Sequence, residues 1–108
     1  MVFRRAVAYK LSGPLDQRTL DSLRTSLDLT PTGRLADDWD EIFGEREAER
    51  DGVRVEFSLS RDESRGGWEV NLSVDGQADP TALEPFESEI TSAAAAAGLT
   101  VESVLRPS

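Results

Sequence analysis

The sequence predicts an α+β domain in which helices cover one side of an antiparallel sheet. Residues 53–60 and 68–75 form two runs in which every second residue is apolar. A period of two places alternate side chains on opposite faces, so each run predicts a strand with one dry and one wet face. Patterns of amphipathic helices precede and follow this pair of strands, and such helices can cover the dry face.

The two central strands predict a hairpin. The connector, residues 61–67, is polar and ends in two glycines, as flexible hairpin loops do. The wet face carries Arg54, Glu56 and Glu69, for which ordinary solvated cross-strand ion pairs are a better interpretation than a catalytic carboxylate pair. The dry faces would hold Val53, Val55, Phe57 and Leu59 in the first strand and Trp68, Val70, Leu72 and Val74 in the second.

A strand and a helix precede the hairpin. Residues 2–11 predict the first strand, with Phe3, Val7, Tyr9 and Leu11 on a common face that Arg5 interrupts. Residues 15–27 predict a helix with Asp16 as its N-cap. The three-four spacing of an apolar stripe continues through Leu20, Leu23 and Leu27.

Residues 34–50 carry two different patterns. An i, i+4, i+7, i+8 spacing favours a short helix that Asp37 or Asp38 caps and Gly44 ends. Residues 45–50 have almost no apolar content and fit a charged edge strand, a helical continuation or a loop equally well. Asp51 and Gly52 then favour a tight turn into the first central strand. The apolar residues of the spacing are Leu35, Trp39, Ile42 and Phe43.

A second helix and a last strand complete the chain. Pro85 is suited to position N1 of the helix, and Gly98 is suited to the residue after its end. Its buried stripe would hold Phe86, Ile90, Ala93, Ala94 and Ala97, and residues 99–106 predict the last strand. The resulting order, β-α-β-β-α-β, is the ferredoxin-like order, with both helices on one sheet face and an extra segment at 34–50. Residues 1–108 form a single predicted domain.

The composition argues against several classes of function. The chain has no cysteine and no histidine, which removes disulfides, thiolate metal sites and the commonest general base. A net charge of −9 argues against binding nucleic acid phosphates or anionic membranes. No apolar span approaches transmembrane length, so we expect a cytoplasmic protein. We expect no cofactor, because no glycine motif matches a phosphate loop or a dinucleotide fingerprint.

The densest acidic group is the acidic stretch, by which we mean residues 37–41: Asp37, Asp38, Trp39, Asp40 and Glu41. Helix capping is its simplest interpretation. A Mg²⁺ or Ca²⁺ site is a weaker one, because the spacing and glycine of an EF-hand loop are missing. The third interpretation is a surface that binds a basic partner, with Trp39 as an aromatic anchor, although its spacing with Leu35 and Phe43 favours a core position.

The function that these features favour is a non-catalytic interaction protein. Its acidic surface would bind a basic protein partner, as an immunity or inhibitor protein binds a toxin. The alternative is a homodimeric regulatory or small-ligand-binding module that pairs through an open sheet face or an edge strand. An enzyme that depends on carboxylates or a metal ion is the least favoured class.

Overall fold

A computed structural model describes residues 4–36, 41–50, 52–62, 67–75 and 80–105, with backbone only for Arg4, Arg5, Asp75, Pro80 and Ala82. In chain order the elements are β1 (Arg4–Ser12), α1 (Gln17–Ser26), β2 (Thr30–Pro31), β3 (Ile42–Arg50), β4 (Val53–Asp62), β5 (Gly67–Asp75), a 3₁₀ turn (Pro80–Leu83), α2 (Glu84–Ala96) and β6 (Thr100–Leu105). Neither helix in the described part of the chain is long and apolar enough to cross a membrane.

The strands form one antiparallel sheet in the order β2-β3-β4-β5-β1-β6. The predicted α+β class, antiparallel sheet and two helices are therefore confirmed. The ferredoxin-like order is not matched, because the sheet has six strands where that order has four. The chain inserts β2 and β3 between α1 and β4, and both strands lie beyond β4 at the edge of the sheet.

The dry face of the sheet and the inner faces of both helices share a single core. Cross-strand neighbours on that face are directly opposed, as in Tyr9 with Val70 and Val70 with Leu59. Trp68 is fully buried, packs edge-on against Phe43 at 5.8 Å, and donates its indole N–H to the Pro14 carbonyl at 3.0 Å. The predicted alternation is thus confirmed in β1, β4 and β5.

Residues 42–50 correct the prediction of a short helix around the acidic stretch. Ile42 and Phe43 belong to β3, and the edge-strand alternative for residues 45–50 is confirmed. A register shift between Ile42 and Gly44 lets Phe43 turn into the core, which explains why the sequence spacing looked helical. Gly44 ends no helix, and its missing side chain leaves room for Leu29. The proposed caps, Asp37 and Asp38, lie outside the described residues.

Both helices begin and end near the predicted positions. Asp16 caps α1 by accepting a hydrogen bond from the Thr19 amide at 2.8 Å. Pro85 is the second residue of α2, one position later than predicted, because Glu84 already has helical geometry. Gly98 follows α2 with a φ of 75°, a left-handed conformation that glycine adopts without steric cost.

The packing at Gly44 generates a stability prediction. A Cβ atom at this position would lie 2.9 Å from Leu29 Cβ and Cδ1, so we expect Gly44→Ala to lower the free energy of unfolding by about 1–3 kcal/mol. Chemical denaturation measures this change. Glu45→Ala, at the exposed neighbouring position, is the control and should change stability by less than about 0.5 kcal/mol. Equal stabilities for the two variants would contradict the packing of β3 against Leu29.

Candidate partner-binding surface

The second face of the sheet, which we call the open face, consists of the strand side chains that point away from the core. The registers place Glu45 beside Ser58, Ser58 beside Asn71, and Asn71 beside Ala8, so small and polar groups cross the middle of four strands. The described side chains of the open face in these strands are Ala6, Ala8, Lys10, Ser12, Glu45, Glu47, Glu49, Arg54, Glu56, Ser58, Ser60, Asp62, Glu69, Asn71 and Ser73.

The open face contains a concavity of about 580 Å³. Its floor is formed by short side chains of β1, β4 and β5, namely Ala6, Ser58, Asn71 and Ser73. Its walls carry longer carboxylates from β3 and β4 together with two threonines, namely Glu45, Glu47, Glu56, Thr30 and Thr32. The short side chains leave space above the sheet, and the carboxylates surround that space with negative charge.

Two carboxylates of the concavity occupy opposed positions in the sheet. Glu47 lies directly opposite Glu56 across the β3–β4 pair, and like charges at opposed positions destabilise a sheet. Neither Glu45 nor Glu47 makes a salt bridge within the part of the chain that the structure describes. On the same face, Arg54 contacts Glu49 at 3.7 Å, with both side chains more than half exposed.

The opposite end of the open face carries an ion cluster in which one lysine contacts two carboxylates. Lys10 Nζ lies 2.6 Å from Glu69 Oε1 and 3.3 Å from Asp62 Oδ2, and the Asp62 side chain is only 8% exposed. Ser60 adds a hydrogen bond to Glu69 from its hydroxyl at 3.4 Å. The hydrogen bond to Glu69 is the main cause that raises the pKa of Lys10 above its ordinary value, against an opposing effect of burial. Two carboxylates thus share one lysine here, whereas the described side chains at the β3 end include four glutamates and one arginine, namely Glu45, Glu47, Glu49, Glu56 and Arg54.

The structure leaves most of the acidic stretch undescribed. Of its five residues, only Glu41 is described, and it is exposed. Arg24 of α1 forms hydrogen bonds with the chain on both sides of the stretch, at residues 32–33 and at residue 43. Its guanidinium donates to the carbonyls of Phe43 at 2.8 Å, Thr32 at 2.9 Å and Gly33 at 3.3 Å.

The residues that sequence patterns singled out on the wet strands do not converge. Glu56 faces Ser73 on one side, whereas Glu69 faces Ser60 and belongs to the Lys10 cluster. No group of three potential metal ligands occurs among the described residues. The glutamates of β3 were missed because residues 45–50 had three equal interpretations. Their signal was the period of two in which Glu45, Glu47 and Glu49 alternate with other residues.

No protein-family model, curated protein or solved structure matches this chain.

The ion cluster generates a second stability prediction. Lys10→Met leaves the buried Asp62 and its neighbour Glu69 without their lysine, so we expect the free energy of unfolding at pH 7 to fall by about 1–3 kcal/mol. Denaturant titration measures this loss. Lys10→Arg, which keeps the charge, is the matched control and should lose clearly less.

The pH dependence of the same pair of proteins tests the cause. A raised pKa in the folded state means that Lys10 stabilises the fold fully below its ordinary pKa of 10.5, and that this stabilisation is lost as the pH rises through the folded value. The difference in free energy of unfolding between wild type and Lys10→Met should therefore stay constant as the pH rises from neutral, and it should become smaller only above pH 10.5. A difference that narrows in the acidic direction alone would contradict the role of the lysine.

Proposed function

We propose that the protein is a non-catalytic interaction protein that binds a basic protein partner, as immunity and inhibitor proteins do. The observation that carries this proposal is the acid-lined concavity of the open face, with Glu45, Glu47 and Glu56 around a floor of short side chains. Such a surface attracts a cationic protein at long range and offers its side chains room at short range.

The distribution of cations supports the choice of the β3 end of the open face. Lys10 is held by Asp62 and Glu69, and Arg46 points to the helix side, where it contacts Glu89 at 2.8 Å. A partner's cations placed near Glu45 and Glu47 would meet carboxylates that make no salt bridge within the described residues.

The acidic stretch stays in the proposal as a second part of the same surface. Glu41 immediately precedes Ile42, whose side chain is 45% exposed, and Thr32 on the opposite flank lines the concavity. Both flanks of the stretch therefore adjoin the rim of the open face. A partner seated on the concavity would therefore lie near Glu41, the described residue of the acidic stretch.

A homodimeric regulatory or small-ligand-binding module is the second candidate. The observation that favours it is β6, which among the described strands pairs only with β1 and exposes Val104 at 37% and Leu105 at 55%. Pairing of two β6 edges would cover these side chains. A rise in melting temperature with one member of a panel of small metabolites would favour this candidate over a protein partner.

Capture from the cells that produce the protein tests the preferred proposal. Immobilised wild-type protein should retain a basic protein at low salt and release most of it at high salt, because screening weakens the attraction between exposed charges. The variant Glu45→Gln, Glu47→Gln, Glu56→Gln should bind that protein about tenfold more weakly, at roughly 0.5 kcal/mol for each lost charge.

A charge-matched control separates this surface from net charge. Asp21→Asn, Glu84→Gln, Glu102→Gln removes three exposed carboxylates elsewhere and should leave the affinity within about twofold. Equal losses of affinity in both triple variants would mean that binding depends on the overall charge of the protein and not on this surface. Retention of no basic protein at either salt concentration would contradict the proposal itself.

A further inference from the structure

The outer edge of β3 is open along most of its length. β2 pairs only with its first part, through Thr30 with Glu45 and Pro31 with Gly44. Within the described chain, no strand lies beside residues 46–50 on that side. An open strand edge carries backbone N–H and C=O groups that can pair with an added strand.

The hydrogen-bond pattern identifies which backbone groups point outward. The Thr32 amide donates to the Phe43 carbonyl at 3.2 Å, so the backbone of Phe43 faces β2. Outward-facing residues alternate along an antiparallel strand, which assigns Glu45, Glu47 and Glu49 to the outer edge. Pro31 is consistent with this alternation. It has no N–H to donate, and it lies opposite Gly44 in a pair of residues that exchange no backbone hydrogen bonds. Beyond β2, the outward backbone groups that pair with no described strand are therefore those of Glu47 and Glu49.

The same residues carry the negative side chains of the open face. Glu45, Glu47 and Glu49 recur every second residue, with the spacing of side chains on one face of a neighbouring strand. On the helix side a second concavity of about 430 Å³ runs along residues 46–50 and is completed by Phe86 and Glu89 of α2. The edge thus lies between two recesses. One is acidic, and the other contains Ala48, Phe86 and Arg50 beside the ion pair of Arg46 with Glu89.

We propose that an extended segment of the basic partner adds to the outer edge of β3 as a seventh strand, with its Lys or Arg residues alternating with uncharged ones. The inference rests on the proposed function and specifies how the partner is recognised. Alternate cations would face Glu45, Glu47 and Glu49, while the uncharged residues between them face the recess with the two arginines. Backbone hydrogen bonds to Glu47 and Glu49 supply the register.

The charge of the edge argues for a different chain as the occupant. A second copy of β3 would bring its own three glutamates to the same face, and opposed like charges destabilise strand pairing. Charged residues also protect open edges from aggregation, a role that requires no partner. These two roles make different predictions for a cationic strand, so a peptide experiment separates them.

Two synthetic peptides of equal composition provide the probe. In the first, Lys or Arg alternates with Val; in the second, the cations are consecutive and the valines follow. We expect the alternating peptide to slow amide hydrogen exchange at Glu47 and Glu49 about tenfold when about nine-tenths of the protein is bound, because only the free fraction exchanges readily. The amides of Arg46 and Ala48, which face β4, should change little.

Variants separate the charges from the backbone. Glu47→Gln, Glu49→Gln keeps the strand and should weaken the alternating peptide about fivefold. Glu49→Pro removes the outward N–H of that residue, so we expect the peptide no longer to protect the Glu47 amide. The variant should still fold, because the N–H at position 49 faces away from β4 and the ladder to β4 stays intact. If the proline variant does not fold, strand addition is tested by the glutamine variant and by hydrogen exchange of the wild-type protein with the two peptides.

The outcomes distinguish this inference from the proposed function. Equal affinity of the two peptides, or binding without protection of Glu47 and Glu49, would overturn strand addition while a captured basic partner still upheld the acidic surface. Failure of both peptides to bind, with self-association of the Glu47→Gln, Glu49→Gln variant, would show that the charges only protect the edge. If the immobilised protein captures no basic protein from its own cells, that result would instead contradict the proposed function.

Discussion

The apolar face that β1, β4 and β5 share is the constraint on which the rest of the structure depends. Its side chains lie directly opposite one another, so a shift of one residue in any strand would expose the whole set to water. Burial of this face fixes where α1 and α2 pack. Both described helices are thereby placed on one side of the sheet, and the open face on the other side is a consequence of how the core forms.

The charges of the chain then give the two ends of the open face different properties. In β1, Lys10 pairs with Asp62 and Glu69, where partial burial makes an unpaired carboxylate costly. In β3, Arg46 stacks on Phe57 at 4.3 Å on the helix side and forms an ion pair with Glu89 of α2, so it contributes to the boundary of the core. Negative charge accumulates where burial is least, at the edge formed by β3.

Elements with a simple period were predictable from the sequence. The alternation in β1, β4 and β5 and the stripe of Leu20, Leu23 and Leu27 each depend on one local pattern, and all of these are found. The segment before β4 was not predictable in the same way, because the shift in register at Phe43 moves its apolar residues out of a strand period. The six-strand order depends on that segment, so the sheet order was wrong where the local pattern failed.

The candidate surface was predictable in its sign but not in its position. Net charge and the lack of histidine and cysteine suggested an acidic binding surface, and the acidic stretch was the densest group in sequence. The glutamates of β3 come together with Glu56 only through strand pairing, which no linear spacing reveals. Likewise, Lys10 and Asp62 are distant in sequence and meet only because β1 and β4 both flank β5.

The central claim is that the open face carries an excess of negative charge, which repels a copy of itself and accepts a cationic protein. Light scattering of the purified chain at low and at high salt tests it most directly, because it requires no knowledge of the partner. We predict the mass of one chain at low salt, where repulsion between acidic surfaces is strongest, and the same mass at high salt. A dimer of constant mass at both salt concentrations would contradict the account, since the chain would then use this face or an open edge to bind itself.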